Sequence, residues 1–295
     1  MIPELMMQNI GDAEMPYLSY GDGNKTLILL HATGFISWLW HPVARDLTSM
    51  YRVVVPHIVD YRAANPENGA LPWMTIAGDI VAFCEKGGIE NPYLVGHSMG
   101  GTVLALAVAR YGLAAKAMIL IEPIFLPPEF YRFKMSVEDH PLAVRAVRRK
   151  NHWENAEEAL AYLKSRTLFT KWDAEVLQLY IDYGMKEGEN GGLQLVCSPE
   201  TEAALFMGGV QVDPWPLLPA VTCPVLVVEG EESDNDRFVD IQKVVSVFPH
   251  ASHKVIADAG HLIPMEKPGE ITAVIKKFLT VYKKEKITMK TKTIS

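Results

Sequence analysis

Apolar residues in this chain fall into short, nearly continuous runs: Thr26–Leu30, Tyr51–Val55, Tyr93–Val95, Ala117–Ile121, Pro224–Val228 and His253–Ile256. Unbroken rather than alternating apolarity predicts strands buried on both faces, as in a parallel sheet. Between these runs, Trp40–Ser49, Thr75–Lys86, Met99–Tyr111, Phe238–Phe248 and Glu270–Tyr282 carry the spacing of helices. Strands alternating with helices predict an α/β fold with right-handed crossovers.

One interval departs from this alternation. From Phe125 to Trp215 no strong buried strand is visible, while Glu154–Arg166 and Asp173–Lys186 read as amphipathic helices and Pro199–Phe206 as a shorter one. Long insertions at the carboxyl edge of a sheet are where lids sit, so the interval is expected to form a helical cap rather than a set of longer crossovers. The chain then divides into a core of residues 1–124 and 216–295 and a cap subdomain of residues 125–215. The stretch from about 283 to 295 is rich in Lys and Thr without an amphipathic pattern, and is expected to be a loosely ordered tail.

Composition narrows the function. The 295 residues are 49% hydrophobic, enough for one sizeable core with an added subdomain. A formal net charge of −7 disfavours non-specific nucleic-acid binding. Cys84, Cys197 and Cys223 are scattered and odd in number, which argues against a metal-type spacing and for a reducing compartment. The N-terminus shows no signal-peptide pattern, and no run approaches the roughly 18 apolar residues of a membrane span. A cytoplasmic protein without membrane or nucleic-acid partners is expected.

The chemistry is concentrated around Ser98. Tyr93-Leu94-Val95-Gly96-His97-Ser98-Met99-Gly100-Gly101 runs from a strand pattern through Gly-x-Ser-x-Gly into a helix pattern. The pentapeptide alone is weak evidence, because chance supplies it in roughly one chain in ten of this size, and a serine capping a helix is its ordinary use. The strand–turn–helix context is what a nucleophile elbow requires. Serine then needs a base, and His261 is the best placed, in a loop between the last predicted strand and the C-terminal helix.

The base needs a carboxylate to orient it. Asp234, after the Val225–Val228 strand, is favoured, and Glu122, at the end of Ala117–Ile121, is the alternative. An oxyanion hole needs two aimed amides. Met99, at the helix N-terminus, and Thr33, in the loop His31-Ala32-Thr33-Gly34-Phe35, are the candidates, with Gly34 and Phe35 as alternatives in register. His31 is expected to brace that loop. Phe35, Trp38, Phe125 and Tyr131 are candidate walls of an apolar substrate pocket, with ordinary core packing the competing role for each.

These segments resemble the α/β-hydrolase superfamily, in its cap-bearing serine esterase-like branch, over nearly the whole chain. The carriers are His31–Phe35, Gly96–Gly101, the Pro224–Asp234 segment and Gly260-His261. The resemblance implies an eight-stranded, mostly parallel sheet flanked by helices, a helical cap inserted after the sixth core strand, acyl-enzyme chemistry and no cofactor. It places the usual acid where Asp234 falls, although haloalkane dehalogenases of the same superfamily carry theirs where Glu122 falls. His31-Ala32 stands where the family commonly has His-Gly. Asp60-Tyr61-Arg62-Ala63-Ala64-Asn65 departs from its Asp-x-Arg-Gly-x-Gly.

The expectation is therefore a serine hydrolase of small-molecule carboxylic esters using Ser98, His261 and Asp234. Carbon–carbon or lactone hydrolysis by the same triad is one alternative. A small-ligand receptor of the same fold with little turnover is another.

Overall fold

The computed structural model describes residues 2–66 and 70–292, with residues 236 and 281–292 described by backbone alone. The expected tail at 283–295 falls on this last part and lies outside the described residues, apart from a helical backbone to Lys292.

An eight-stranded sheet forms the centre. Its strands are β1 (Met6–Asn9), β2 (Glu14–Tyr20), β3 (Thr26–Leu30), β4 (Arg52–Pro56), β5 (Tyr93–His97), β6 (Ala117–Ile121), β9 (Val225–Gly230) and β10 (Ala251–Ile256). Two further strands, β7 (Met185–Glu187) and β8 (Leu193–Leu195), form a separate antiparallel ribbon. The sheet order is β1-β2-β4-β3-β5-β6-β9-β10. Pairing is parallel from β4 to β10 and antiparallel among β1, β2 and β4. The six expected strands are all present. Strands β1 and β2 have weaker patterns: β1 is short and mostly exposed, and β2 mixes buried and half-buried positions around Pro16.

The helices are α1 (His41–Leu47), α2 (Trp73–Lys86), α3 (Met99–Tyr111), α4 (Pro141–Val147), α5 (Ala156–Lys164), α6 (Ala174–Gly184), α7 (Pro199–Gly208), α8 (Ile241–Val247), α9 (Ile263–Glu266) and α10 (Pro268–Lys292). Helix α8 starts later than its apolar pattern suggests because the Asp240 side chain accepts the Lys243 N–H and fixes the first turn there. Right-handed crossovers set which face each helix covers. From β3 the chain steps outward to β4 through α1. It then crosses back past β3 to β5 through α2, so α1 and α2 lie on opposite faces. Helix α2 packs on α3 and α1 on α10. Connections therefore leave β3 and β5 in opposite directions, which opens a crevice at the carboxyl ends of these two strands. The loop after β3 and the turn after β5 meet there.

The insertion between β6 and β9 is not purely helical. Besides α4 to α7 it holds the β7–β8 ribbon, where short polar strands such as Met185-Lys186-Glu187 give little apolar signal. Helix α4 was also unforeseen; it begins at Pro141, and the His140 side chain accepts the Ala143 N–H. The insertion packs on the loops at the carboxyl edge. Leu71 N–H donates to Ala204 O at 3.2 Å, Trp73 Nε1 to Leu205 O at 2.7 Å, and Asp173 N–H to Met265 O at 2.8 Å. Its buried residues Trp153, Trp172, Val176 and Tyr180 continue the apolar core of the sheet.

Candidate active site

The turn after β5 is forced by close packing. A Cβ on Gly96 would lie 2.4 Å from the Gly100 carbonyl oxygen, and one on Gly100 would lie 2.4 Å from the Leu30 carbonyl oxygen. Two glycines thus let α3 fold back onto β3 and β5. Between them Ser98 takes φ 54° and ψ −120°, a strained conformation for a residue with a side chain, and it is the first flanking residue of α3. Its own N–H is held by the Ile121 carbonyl at 2.8 Å.

His261 approaches from the loop after β10. Its Nε2 lies 3.1 Å from Ser98 Oγ. Its carbonyl accepts a 2.8 Å hydrogen bond from His97 Nε2, so the residue preceding Ser98 also holds His261 in place. The His97 imidazole is pushed well below its ordinary range, chiefly by burial and then by the neighbouring His261, so it serves as a neutral donor. Gly230 permits this approach: a Cβ there would sit 2.4 Å from the carbonyl oxygens of Ala259 and Gly260. The Gly260 N–H is in turn bound by Glu266 Oε2 at 2.7 Å.

The carboxylate beside the His261 ring belongs to Glu122. Its Oε2 lies 3.1 Å from His261 Nδ1. Glu122 follows β6 at φ 50° with a side chain that is 0% exposed. The carboxylate is well supplied with donors: Gly230 N–H at 2.7 Å on Oε1, and Ser233 Oγ–H at 2.6 Å and Asn235 Nδ2 at 3.1 Å on Oε2. Asn235 Nδ2 also lies 2.6 Å from His261 Nδ1. The favoured residue, Asp234, is not at the site. Its side chain is 88% exposed and pairs with Arg237 at 3.3 Å. The loop after β9 does reach His261, but one residue later than expected, and with an amide in place of an acid.

The oxyanion-loop candidates are sorted by their hydrogen bonds. The Phe35 N–H turns back to Ala32 O at 3.3 Å, and the Gly34 N–H faces the Cys197 sulfur. Among the described residues the Thr33 amide has no such partner. Met99 is the first residue of α3, where the N–H has no intrahelical acceptor. His31 braces the loop: its Nδ1 donates to Ala32 O at 2.9 Å and its Nε2 accepts the Ile58 N–H at 3.1 Å. Burial holds it neutral, down at about 4, against the pull of the Ala32 bond.

Residues 27–274 match the model of the Alpha/beta hydrolase family. The chain belongs to that family. The Abhydrolase domain-containing protein ACTT2-1 of Alternaria alternata is 28% identical over 219 residues, covering 61% of this chain and 80% of the relative. Among solved structures, E-2-(acetamidomethylene)succinate hydrolase superposes with a TM-score of 0.79 at 21% identity, covering 94% of this chain and 99% of that one. A thermophilic esterase from Thermogutta terrifontis gives 0.70 at 23% identity, covering 95% and 99%. Identities this low establish a shared α/β-hydrolase fold.

Within this α/β hydrolase the candidate wall residues separate into two groups. Phe35 and Trp38 sit in the loop after β3 and meet the insertion: Phe35 packs on Trp172 and Tyr180, and Trp38 stacks on Tyr183 at 4.9 Å. Phe125 is fully buried against Trp215 and Phe248, which makes it core packing. Tyr131 turns its hydroxyl to the Leu126 N–H at 3.0 Å, a bond within its own loop. Sequence reasoning missed Ser233 and Asn235, whose only signal was their closeness to Asp234. Nothing at sequence level marked His97 as the brace of the base.

Proposed function

We propose that this α/β hydrolase is a serine hydrolase that cleaves carboxylic esters of small molecules through an acyl-enzyme on Ser98. One observation carries the reading. The Ser98 hydroxyl and the buried Glu122 carboxylate each lie 3.1 Å from the His261 ring, on its two different nitrogens. That line supports a relay in which Glu122 holds the Nδ1 proton and leaves Nε2 free to accept the serine proton.

In the proposed first half-reaction Ser98 Oγ attacks the ester carbon as His261 Nε2 takes its proton. The tetrahedral oxyanion is received by the Thr33 and Met99 amides, the latter at the positive end of α3. Collapse breaks the bond to the alkoxide, which leaves with the proton from Nε2. Water then attacks the acyl-enzyme with His261 again as base, releasing the acid and restoring the Ser98 hydroxyl. Every step draws on side chains, two backbone amides and water.

The test is turnover of a chain-length series of p-nitrophenyl esters by the parent chain and by Ser98→Ala. The expected result is hydrolysis by the parent, a loss of about 1,000-fold or more in the variant, and parent-only labelling by a fluorophosphonate. Full activity in Ser98→Ala would overturn the mechanism. Turnover of lactones or β-diketones with every ester untouched would overturn the substrate class.

A further inference from the structure

The insertion reaches the oxyanion loop through a partly buried ion pair that the proposed chemistry does not use. Arg149, just after α4, places Nη1 2.7 Å from Glu202 Oε2 on α7 and donates from Nη2 to the Cys197 carbonyl at 2.6 Å. Both of those partners touch Gly34. The Cys197 thiol faces the Gly34 N–H. Glu202 lies so close that a Cβ on Gly34 would be 2.3 Å from its Oε1. Gly34 itself has φ 78°, a conformation that favours glycine. On its far side, Phe35 is gripped by Trp172 and Tyr180, and Tyr180 also interacts with Arg149. One guanidinium therefore ties together two segments of the insertion that bear on the residue next to Thr33.

As a source of stability the pair is a poor choice. Burial pushes the Glu202 carboxyl above its ordinary range against the pull of Arg149 and Arg145, and Arg149 Nε has no hydrogen-bond partner among the described residues. Ion pairs withdrawn from water are often replaceable by apolar residues at no loss of stability, and this one is largely withdrawn.

We propose that Arg149 and Glu202 are positioning residues, which fix Gly34 and thereby aim the Thr33 amide at the oxyanion. The insertion then completes the oxyanion hole as well as covering it. This inference rests on the serine-hydrolase reading, and its test separates the two.

The double variant Arg149→Met/Glu202→Met removes both charges while keeping bulk. Its kcat on p-nitrophenyl acetate is expected to fall about 10- to 100-fold, less than the loss of an entire oxyanion donor, with KM changed less than about twofold. Affinity for an alkyl boronic acid, which forms a tetrahedral adduct on serine, is expected to fall by the same factor, with the thermal midpoint maintained. Unchanged kcat and unchanged boronate affinity would overturn the proposal, as would a loss of kcat fully accounted for by unfolded protein. Should the double variant fail to fold, Glu202→Gln keeps the side chain beside Gly34 and removes the charge that pairs with Arg149. A roughly tenfold fall in kcat at constant KM supports the proposal there, and parent-like kcat overturns it. Activity surviving in Ser98→Ala would instead sink the underlying mechanism, whatever the clamp variants show.

Discussion

Replacing Glu122 by Gln and Asp234 by Asn separates the two carboxylates. In Glu122→Gln one acceptor oxygen becomes an NH2 group, and neither orientation of the amide suits the site. With the amide oxygen facing His261, the NH2 confronts the Gly230 N–H across 2.7 Å. With the NH2 facing His261, it meets the Asn235 amide and the Nδ1 proton, and only the Ser233 hydroxyl can rotate to accept. The charge that balances the imidazolium is lost in both. Amide-for-acid exchange in a serine–histidine–acid triad costs about 10⁴ in kcat, about 5.4 kcal/mol at about 1.36 kcal/mol per tenfold. A donor left unsatisfied adds about 1–3 kcal/mol of lost stability. Asp234, 88% exposed and paired with Arg237, should tolerate its change within about twofold in kcat. The assay is steady-state hydrolysis of p-nitrophenyl acetate, with circular dichroism and urea melts to confirm folding. A folded Glu122→Gln enzyme retaining more than a tenth of parent kcat, or an Asp234→Asn enzyme losing a hundredfold, refutes the assignment.

The short reach of Asn235 to the base predicts a rescue: in the Glu122→Gln background, Asn235→Asp should raise kcat about tenfold or more by restoring a carboxylate 2.6 Å from Nδ1, measured by the same ester assay. The buried histidines set the acid limit of stability. His31 and His57 are held down at about 4 and about 3, in each case chiefly by burial, from an ordinary 6.5. Between those values and 6.5 the unfolded chain binds protons that the folded chain refuses. Stability is therefore intact above about pH 6.5 and falls as pH drops, by about 2 kcal/mol for each histidine at pH 5. Urea midpoints that hold steady from pH 7.5 to 5 would contradict this. Gly100→Ala should destabilise by about 3 kcal/mol or abolish soluble expression, since the new methyl meets Leu30 and His31 carbonyl oxygens at 2.4 and 2.7 Å; a parent-like thermal midpoint would show that the turn can yield.

The parallel core was legible because its signal is local. Runs such as Leu27–Leu30 and Ala117–Ile121 are apolar on both faces, and the structure buries them completely. Ser98 was legible because the glycines at 96 and 100 mark where the backbone must turn and come close, and His261 because it sits in the loop between the last strand and the C-terminal helix. The partner of the base was less accessible. Asp234 and Asn235 are adjacent in sequence, and which of them turns inward depends on the short helical turn over Asp234–Arg237 and its Ser233 cap. Glu122 gave a better signal in retrospect, as a carboxylate at the end of a fully buried strand. The insertion was legible only as helices, because the strands of the β7–β8 ribbon are short and polar, and the Arg149–Glu202 pair joins segments some 50 residues apart.

The pairing of β6 with β9 has a consequence for how activity is acquired. Glu122 leaves β6, while Gly230, Ser233 and Asn235 follow or end β9, and the whole insertion of residues 123–224 lies between them. Closing a loop of that length costs about 4 kcal/mol of chain entropy, so this pairing belongs among the slow, non-local events of folding. The strand and helix around Ser98 form from residues close in sequence. In a refolding chain the turn at Ser98 is therefore in place before Glu122 is, and on the proposed mechanism recovery of turnover should lag behind recovery of helical signal.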